Sequence, residues 1–520
     1  MLKSSGAMGI ATLASRILGM VREMVYASFM GDTPVAGAFK LAFKIPNLFR
    51  RLLGEGALTA AFIPIFKDKE KNAGEAEMWR ASNAVISGLL ASSALFIGLV
   101  MLVIAVVLAA GEFSDNTRLM LQLLGIMFPY LLLVCLAAVL IAMLNSRGLF
   151  FIPAMGGTML NVVMIASVLW LAPRLGETLD KQIFGLAIGV LVAGVAQAAF
   201  QLPSLWRQGF RFRWVSPWSN DTVREVVARM VPGTIGVAAF QINVLVTDGV
   251  AFLVDPQIIA SLDYAVRLME FPQGVFGVSL ATFLLPTLSG LAAEKNFTEF
   301  RAMLGKGLDH LVFVNLPVSI MLAVLAEPIV RLLFERGQFD ADATRRAAVA
   351  LTCLGPGLVA FSMTNVLTRA FFALGDTTTP MRISLVCLGV NLAVGLAFVI
   401  PFRQAGLAMA NTLSAIINTW LLITALRRKL GTLDFALLLK NLVATVSGSI
   451  VAGVVAWWLA DYWLTHFGHR DLGARLGAVF VPLLAAAAAY WTISLTLRVN
   501  SAREILETAL ERVRPKQNKA

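Results

Sequence analysis

The chain has 520 residues, of which 58% are hydrophobic and 14% are charged, and its formal net charge is +12. Soluble domains carry about a quarter charged residues, so this composition excludes an ordinary soluble globular protein. Because apolar segments recur along the whole length, we predict a polytopic helical membrane protein. In a membrane protein, a positive net charge is typical of Lys- and Arg-rich cytoplasmic loops. We therefore predict no nucleic-acid partner.

Apolar runs of membrane-spanning length predict about fourteen transmembrane helices. The second and eighth runs are long and contain Pro46 and Pro272, so we expect kinked or broken helices there. The predicted spans are 6–30, 34–62, 82–109, 119–144, 152–173, 183–205, 231–254, 258–289, 308–328, 345–374, 380–401, 404–426, 439–463 and 475–497.

The loops between the spans differ in charge, which predicts the side of the membrane on which each lies. Both termini are predicted to be cytoplasmic, although the outside stretch 331–346 is more basic than the rule expects. The basic connections, predicted to be cytoplasmic, are 67–80, 206–214, 294–306 and 427–431; the connections poor in Lys and Arg, predicted to be outside, are 31–33, 111–116 and 254–257.

An internal repeat relates the two halves of the chain. Residues 185–208 resemble 406–429 at a constant offset of 221, and 144–163 resemble 373–394 less strictly. Six spans in each half give both halves the same orientation, as in the parallel repeats of transporters. We therefore predict an N-terminal lobe at 1–208, a C-terminal lobe at 222–430, an additional helix pair at 431–498 and a basic cytoplasmic tail at 499–520.

The predicted first two spans carry an excess of positive charge. A charged side chain near the bilayer centre costs roughly a few kcal/mol or more, so it faces a wet cavity or a partner. Since cations outnumber acids here, mutual pairing leaves positive charge over, and we predict an anionic ligand in a cavity bordered by spans one, two, seven and eight. The charged residues of 12–56 are Arg16, Arg22, Glu23, Asp32, Lys40, Lys44, Arg50, Arg51 and Glu55.

Span eight adds Arg267 and Glu270, whose i, i+3 spacing allows an ion pair on one helix face. A structural salt bridge is the alternative to a role in binding. The planar guanidinium binds phosphate oxygens bidentately, so Arg16, Arg22 and Arg267 in one cavity would suit a pyrophosphate. For Arg50 the alternative is an interfacial position with the charge extended to water.

Spans seven, eleven and twelve carry polar side chains that include Asp248, Asn391 and Asn411. Oxygen ligands from neighbouring helices suit a small hard cation. Hydrogen bonding between helices is the alternative interpretation.

Catalytic chemistry finds little support in the sequence. No Walker A motif, glycine-rich nucleotide loop or nucleophile elbow occurs. The cysteines are widely separated in apolar segments, which favours packed thiols over disulfides or metal ligands. The pair His466 and His469 lies in an outside loop among aromatic residues and lacks a nearby acidic or third-ligand motif. The cysteines and histidines of the chain are Cys135, Cys353, Cys387, His310, His466 and His469.

Two long motifs resemble those of a known family. SRILGMVRE (15–23), followed by FKLAFKIPNLFRRLLGEGALTAAFIPIF (39–66), closely resembles the amino-terminal signature of the MurJ (MviN) lipid II flippases, and YAVRLMEFPQGVFGVSLATFLLPTLS (264–289) resembles the second. The resemblance implies the fold of the multidrug/oligosaccharidyl-lipid/polysaccharide exporter superfamily. It implies a transporter in the bacterial inner membrane that moves the undecaprenyl-pyrophosphate-linked peptidoglycan precursor from the cytoplasmic to the periplasmic leaflet.

The resemblance also implies which residues serve the site. The family's cavity arginines match Arg16, Arg22, Arg50 and Arg267, and further motif positions match Ser15, Lys44, Glu55 and Glu270. A sodium site in some members matches Asp248, Asn391 and Asn411 approximately, and the last helix pair resembles a groove for the lipid tail. This chain departs from the pattern at Gly37, Val266 and Gly395, where members carry acids.

These expectations combine into a transport hypothesis. Lipid II is the predicted partner, together with membrane lipids and, as further candidates, cell-wall synthesis proteins; no cofactor is predicted. We expect alternating access driven by sodium or another ion gradient, or by the membrane potential. The alternatives are export of another polyprenyl-linked glycan, a membrane-embedded enzyme acting on a polyprenyl pyrophosphate, which would need an acid–metal cluster, and a scaffold without transport.

Overall fold

The protein is described here from a computed structural model that defines residues 2–49, 58–218, 220–431 and 436–513. Within these ranges the regular structure is entirely helical, which confirms the predicted all-α class. The helices are α1 (Leu2–Met30), α2 (Pro34–Phe49), α3 (Leu58–Asn72), α4 (Gly74–Ala110), α5 (Asp115–Met127), α6 (Tyr130–Ser146), α7 (Phe151–Ala166), α8 (Leu179–Arg207), α9 (Asp221–Val254), α10 (Pro256–Pro272), α11 (Ser279–Ala293), α12 (Phe297–Val324), α13 (Ala326–Phe334), α14 (Ala341–Leu354), α15 (Gly357–Ala373), α16 (Thr378–Leu430), α17 (Ala436–Phe467), α18 (Leu472–Thr496) and α19 (Asn500–Val513).

Many of these helices have the length and composition of membrane spans. Eight helical segments of the described chain qualify outright, and two bent pairs, α5 with α6 and α14 with α15, raise the number to 10. The bent pairs correspond to single predicted spans. The predicted spans one, two and seven correspond to α1, to α2 with the start of α3, and to α9. The multi-pass helical prediction is confirmed.

The long helix α16 is a hairpin of two spans rather than one rod. Its backbone leaves the helical region at Arg403, with φ 50° and ψ −128°. A straight helix of this length would separate its ends by about 80 Å at 1.5 Å per residue. Instead, Lys429 Nζ lies 2.8 Å from Asp376 Oδ2, just before the helix begins. The predicted spans 380–401 and 404–426 therefore run antiparallel.

The Lys429–Asp376 pair sits at the open end of this hairpin, beyond both spans. The hydrogen bond from Lys429 and that from the backbone N–H of Thr379 lower the pKa of Asp376 to about 2. At the closed end, a Cβ at Gly406 would overlap the carbonyl oxygen of Phe398. Only glycine permits this approach, because any side chain would push the two arms apart.

The predicted break in span eight is also present. The span comprises α10 and α11, joined by a π-helical segment at Gln273–Val278 directly after Pro272. Gly277 in this segment lies against Ser362 of α15, whose Oγ would be 2.6 Å from an added Cβ. Proline and the π turn interrupt the regular α-helical hydrogen-bond ladder at this point.

The helices form two compact units. The first comprises residues 1–260 with Arg336–Phe339, and the second comprises Ser261–Glu335 with 340–520. The predicted C-terminal lobe begins at 222, whereas α9 belongs to the first compact unit. The core of the first unit includes side chains from α3, α4, α6 and α8, and that of the second includes side chains from α11, α12, α15 and α16, with a separate cluster joining α12, α17 and α18.

The four residues 336–339, which we call the finger, leave the second unit's part of the chain and pack in the first unit. The finger's Gln338 N–H donates to the carbonyl of Ser28 at the end of α1 (2.9 Å). Gly337 and Gly31 both have φ +58°. A Cβ at Gly337 would overlap Ser28 O, and one at Gly31 would overlap Gln338 O. Backbone packs directly on backbone here.

The residues on both sides of the finger are held firmly within the second unit. Glu335 accepts from Arg331 Nε (3.1 Å), Arg475 Nη2 (3.3 Å) and Thr344 Oγ1 (2.9 Å). On the other side, the carboxylate of Asp340 caps α14 at Ala343 N. The finger is therefore flanked by fixed residues, and its Gly337 has no room for a side chain.

We predict that Gly337→Ala and Gly31→Ala lower the thermal stability of the detergent-purified protein. Each adds the left-handed backbone penalty of about 1 kcal/mol and a steric overlap with a carbonyl oxygen. Gly74→Ala is the matched control, since Gly74 has φ +85° but no atom within 4 Å of an added Cβ. Equal losses in all three variants would show that the finger packing contributes nothing.

Candidate functional site

Two arginines of α1 lie in different surroundings. Arg16 is exposed, and no described residue makes an ion pair or hydrogen bond with its side chain. Arg22 is largely buried, with Nη2 donating to Glu23 Oε1 at 2.6 Å and the guanidinium 5.4 Å from the centre of the Tyr26 ring. Cation–π contact and the carboxylate together offset the cost of burying this charge. Arg22 is held in place, whereas Arg16 is accessible.

The neighbours of Arg22 were not predicted as site residues. Glu23 is 3% exposed and adjacent in sequence, and Tyr26 lies one turn along α1. The i, i+4 spacing of Arg22 and Tyr26 is visible in the sequence and could have indicated this pairing.

Lys44 of α2 and Asp248 of α9 form an ion pair of 2.8 Å within the first unit. The Lys44 side chain is 31% exposed and that of Asp248 9%. Lys44 was predicted to bind substrate and Asp248 to bind sodium. The two charges are in contact although they are 204 residues apart in the sequence. A local sequence pattern could therefore not reveal the pair.

At Gly37, where the resemblance implies an acid in other members, the packing leaves no room for a side chain. A Cβ at Gly37 would overlap the carbonyl oxygen of Pro256, at the start of α10. The α2 backbone lies against this residue with no space between. A carboxylate side chain at position 37 is incompatible with this arrangement.

Arg267 and Glu270 form the ion pair that their spacing predicts, with Nη1 and Oε2 2.8 Å apart on α10. Their side chains are 40% and 46% exposed. Because both groups remain accessible, the pair is easily exchanged for another partner, and exposed pairs of this kind contribute about 0–1 kcal/mol. These two residues belong to the second unit, whereas Arg16, Arg22 and Lys44 belong to the first.

The polar residues proposed for sodium make other contacts. Asn391 Nδ2 donates to Asn411 Oδ1 across the α16 hairpin at 2.9 Å. Ser414 and Thr412 in the second arm donate to backbone carbonyls at 2.8 Å. This is the hydrogen bonding between helices that the sequence left open as an alternative. Within the described residues, no group of three His, Cys, Asp or Glu side chains is arranged for a metal.

The other predicted site residues lie on α1 and α2 or outside the described part of the chain. Ser15 lies against α7, where Asn161 Nδ2 donates to the Ser15 carbonyl at 3.1 Å and Gly157 packs beside its hydroxyl. Arg50 and Glu55 lie outside the described residues. Lys40, which the sequence leaves undecided between cavity and interface, is 6% exposed.

Comparison with known proteins identifies the family. The sequence profile described as "Lipid II flippase MurJ" matches residues 26–476. A probable lipid II flippase MurJ of Haemophilus influenzae is 32% identical over 437 residues, covering 80% of this chain and 84% of that protein. The lipid II flippase MurJ of Burkholderia cenocepacia is 32% identical over 492 residues, covering 92% and 94%. The chain belongs to the MurJ lipid II flippase family. Members of this family are named as flippases, so the chain is a transporter and not an enzyme.

Solved structures give the same fold. A lipid II flippase MurJ in an inward closed conformation matches with a TM-score of 0.79 and 23% identity, covering 94% of this chain and 98% of that one. An inward-facing multidrug resistance MATE family transporter of the MOP superfamily matches with a TM-score of 0.63 and 13% identity, covering 82% and 98%. At these low identities, the TM-scores show that the chain shares the fold of both proteins.

We predict that Lys44 and Asp248 are energetically coupled. Removing one charge from a partly buried pair leaves the other less well compensated, so Lys44→Met and Asp248→Asn should each destabilise the protein. The double variant should lose less stability than the two single variants lose together, and the difference, which is the coupling energy, should be about 0.5–3 kcal/mol. Thermal unfolding of the parent, both single variants and the double variant measures this. Strict additivity would contradict the pairing.

Proposed function

We propose that this protein is a lipid II flippase whose arginines bind the pyrophosphate of its substrate. Membership of the MurJ family supports the substrate, since the relatives are named for it. The single observation that carries the arginine assignment is the set of cations on membrane-embedded helices that still face accessible space. Arg16 and Arg267 belong to this set and are accessible.

The arrangement of charges supports an anionic headgroup rather than a cationic one. The Arg22 guanidinium is oriented by Glu23 and Tyr26, so its position is set before any ligand arrives. Pre-oriented donors lose little conformational freedom when a ligand binds. A pyrophosphate offers several oxygens, which suits guanidinium groups approaching from different helices.

The carboxylates supply the second part of the mechanism. Glu270 neutralises Arg267 through their exposed ion pair. When a phosphate enters, the arginine can exchange this carboxylate for the ligand at small net cost, because exposed pairs contribute little. Substrate binding thereby changes which groups are paired. Such a differential interaction between two states is what alternating access requires.

The remaining parts of the proposal concern the tail, the membrane and the energy source. The prenyl tail lies along α17 and α18, whose outer faces expose apolar residues that include Trp457, Trp458 and Leu484. The protein lies in the bacterial inner membrane with both termini cytoplasmic, as its basic loops favour. The membrane potential, worth about 2.3 kcal/mol per charge at 100 mV, is sufficient to bias transport of an anionic headgroup.

Transport of another polyprenyl-linked glycan is the second candidate. It would use the same arginines, because every such carrier presents a phosphate. The family assignment favours lipid II. Rescue of growth after depletion of a cell's own lipid II flippase separates the two, since another glycan carrier would not restore peptidoglycan synthesis.

We predict that Arg22→Ala and Arg267→Ala abolish this rescue while the protein remains inserted and folded. Each variant loses charge-assisted contacts to phosphate of about 1.5–3 kcal/mol, so lipid II binding should weaken about tenfold or more. Growth after depletion and native mass spectrometry with added lipid II measure the two effects. Arg22→Lys should recover binding only partly, since lysine lacks the planar fork.

Arg345→Ala is the matched control. The Arg345 side chain is 76% exposed and its nearest acidic partner, Asp342, lies 4.0 Å away on the same helix. This variant should support growth at the parent level. Rescue by Arg22→Ala and Arg267→Ala would retain the family but discard the arginine mechanism. Failure of the parent chain to rescue, despite correct insertion, would favour the other glycan.

A further inference from the structure

A cavity of about 490 Å³ lies between α4 and α9, entirely within the first unit. Its wall is mostly apolar. The hydroxyl of Ser92, which also lines the cavity, donates to the backbone carbonyl of Gly88 (2.8 Å). The residues that form the wall are Val85, Leu89, Val223, Val226, Val227 and Ala228.

The mouth of this cavity is built by the segment that precedes α9. Asn83 Nδ2 of α4 donates to the carbonyl of Arg211 (3.0 Å), and Val215 N–H donates to Ser87 Oγ (3.2 Å). At the next residue of α4, Pro217 packs on Gly88, with its Cβ 3.2 Å from where a side chain would begin. The segment from Arg211 to Pro217 is therefore fixed along α4.

The rim has a different chemistry from the wall. Trp218 is 75% exposed, and the Arg224 side chain is 71% exposed with its nearest acidic oxygen, on Asp221, 4.0 Å away. The same end of the molecule exposes Trp214, in the basic connection 206–214. Exposed tryptophans and arginines beside an apolar face are typical of the membrane–water interface.

We propose that this cavity binds one acyl chain of an anionic phospholipid and that Arg224 binds its phosphate. The apolar wall matches an alkyl chain, the tryptophan matches the interfacial zone, and the accessible guanidinium matches a single phosphate charge. The cavity is lined by none of the substrate-binding residues assigned above. Under the proposed orientation, the lipid comes from the cytoplasmic leaflet.

Binding is tested on the full-length protein in detergent by native mass spectrometry, titrated with phosphatidylglycerol or with neutral phosphatidylcholine. The parent should bind phosphatidylglycerol more tightly. Arg224→Ala should weaken phosphatidylglycerol binding roughly fivefold, which corresponds to about 1 kcal/mol for one basic residue at a lipid surface. Ala228→Phe, which fills the cavity, should weaken the binding of both lipids.

Arg229→Ala is the matched control, because Arg229 lies on the same helix near Arg224 but pairs with Glu225 and does not line the cavity. This variant should bind as the parent does. A phosphatidylglycerol carrying a photoreactive acyl chain should label peptides that contain 85–93 and 223–230, and Ala228→Phe should remove that label.

Three outcomes would overturn the proposal. An equal loss of phosphatidylglycerol binding in Arg224→Ala and Arg229→Ala would indicate that basic residues attract surface lipids diffusely, without a defined site. Labelling elsewhere, with 85–93 and 223–230 unlabelled, would exclude the cavity. Displacement of the label by a polyprenyl phosphate but not by phosphatidylglycerol would assign the cavity to a prenyl chain instead.

Discussion

The structure depends on how it accommodates charge in apolar helices. An isolated ion in a low-dielectric interior is strongly disfavoured, so a buried lysine or arginine needs a partner, a polarisable ring or access to water. Lys44 satisfies this requirement through Asp248, and Arg22 through Glu23 and Tyr26. Both sets of contacts constrain the helices that carry them. The Lys44–Asp248 pair holds α2 against α9, and the contacts of Arg22 fix the orientation of its side chain on α1.

The positive charges on these helices are neutralised to different degrees. A transporter of anions needs this difference, because some cations must stay accessible to the ligand. Arg16 is accessible, and Arg267 holds its carboxylate in an exposed pair. Were every cation as well compensated as Lys44, an anionic ligand would have to break a buried pair to bind. Under the proposed function, the accessible arginines attract the anion, whereas the Lys44–Asp248 pair holds α2 against α9.

Close backbone approach is the second constraint, and glycine makes it possible. Gly37 lets α2 lie against Pro256, and Gly406 closes the α16 hairpin. Gly31 and Gly337 add left-handed backbone at the point where the finger meets α1. The partners of Gly31, Gly37 and Gly337 required the structure, because each is a carbonyl oxygen that is distant in the sequence.

The sequence by itself determined the class, the approximate spans, the break at Pro272, the Arg267–Glu270 pair and the family. These follow from hydropathy, from spacing along one helix and from long motifs, all of which are local properties. Tertiary structure alone decided that Lys44 meets Asp248, that Asn391 meets Asn411, and that residues 336–339 pack on α1. Such contacts depend on which helix faces lie together, and a periodic apolar pattern leaves that choice open because several packings bury a similar area.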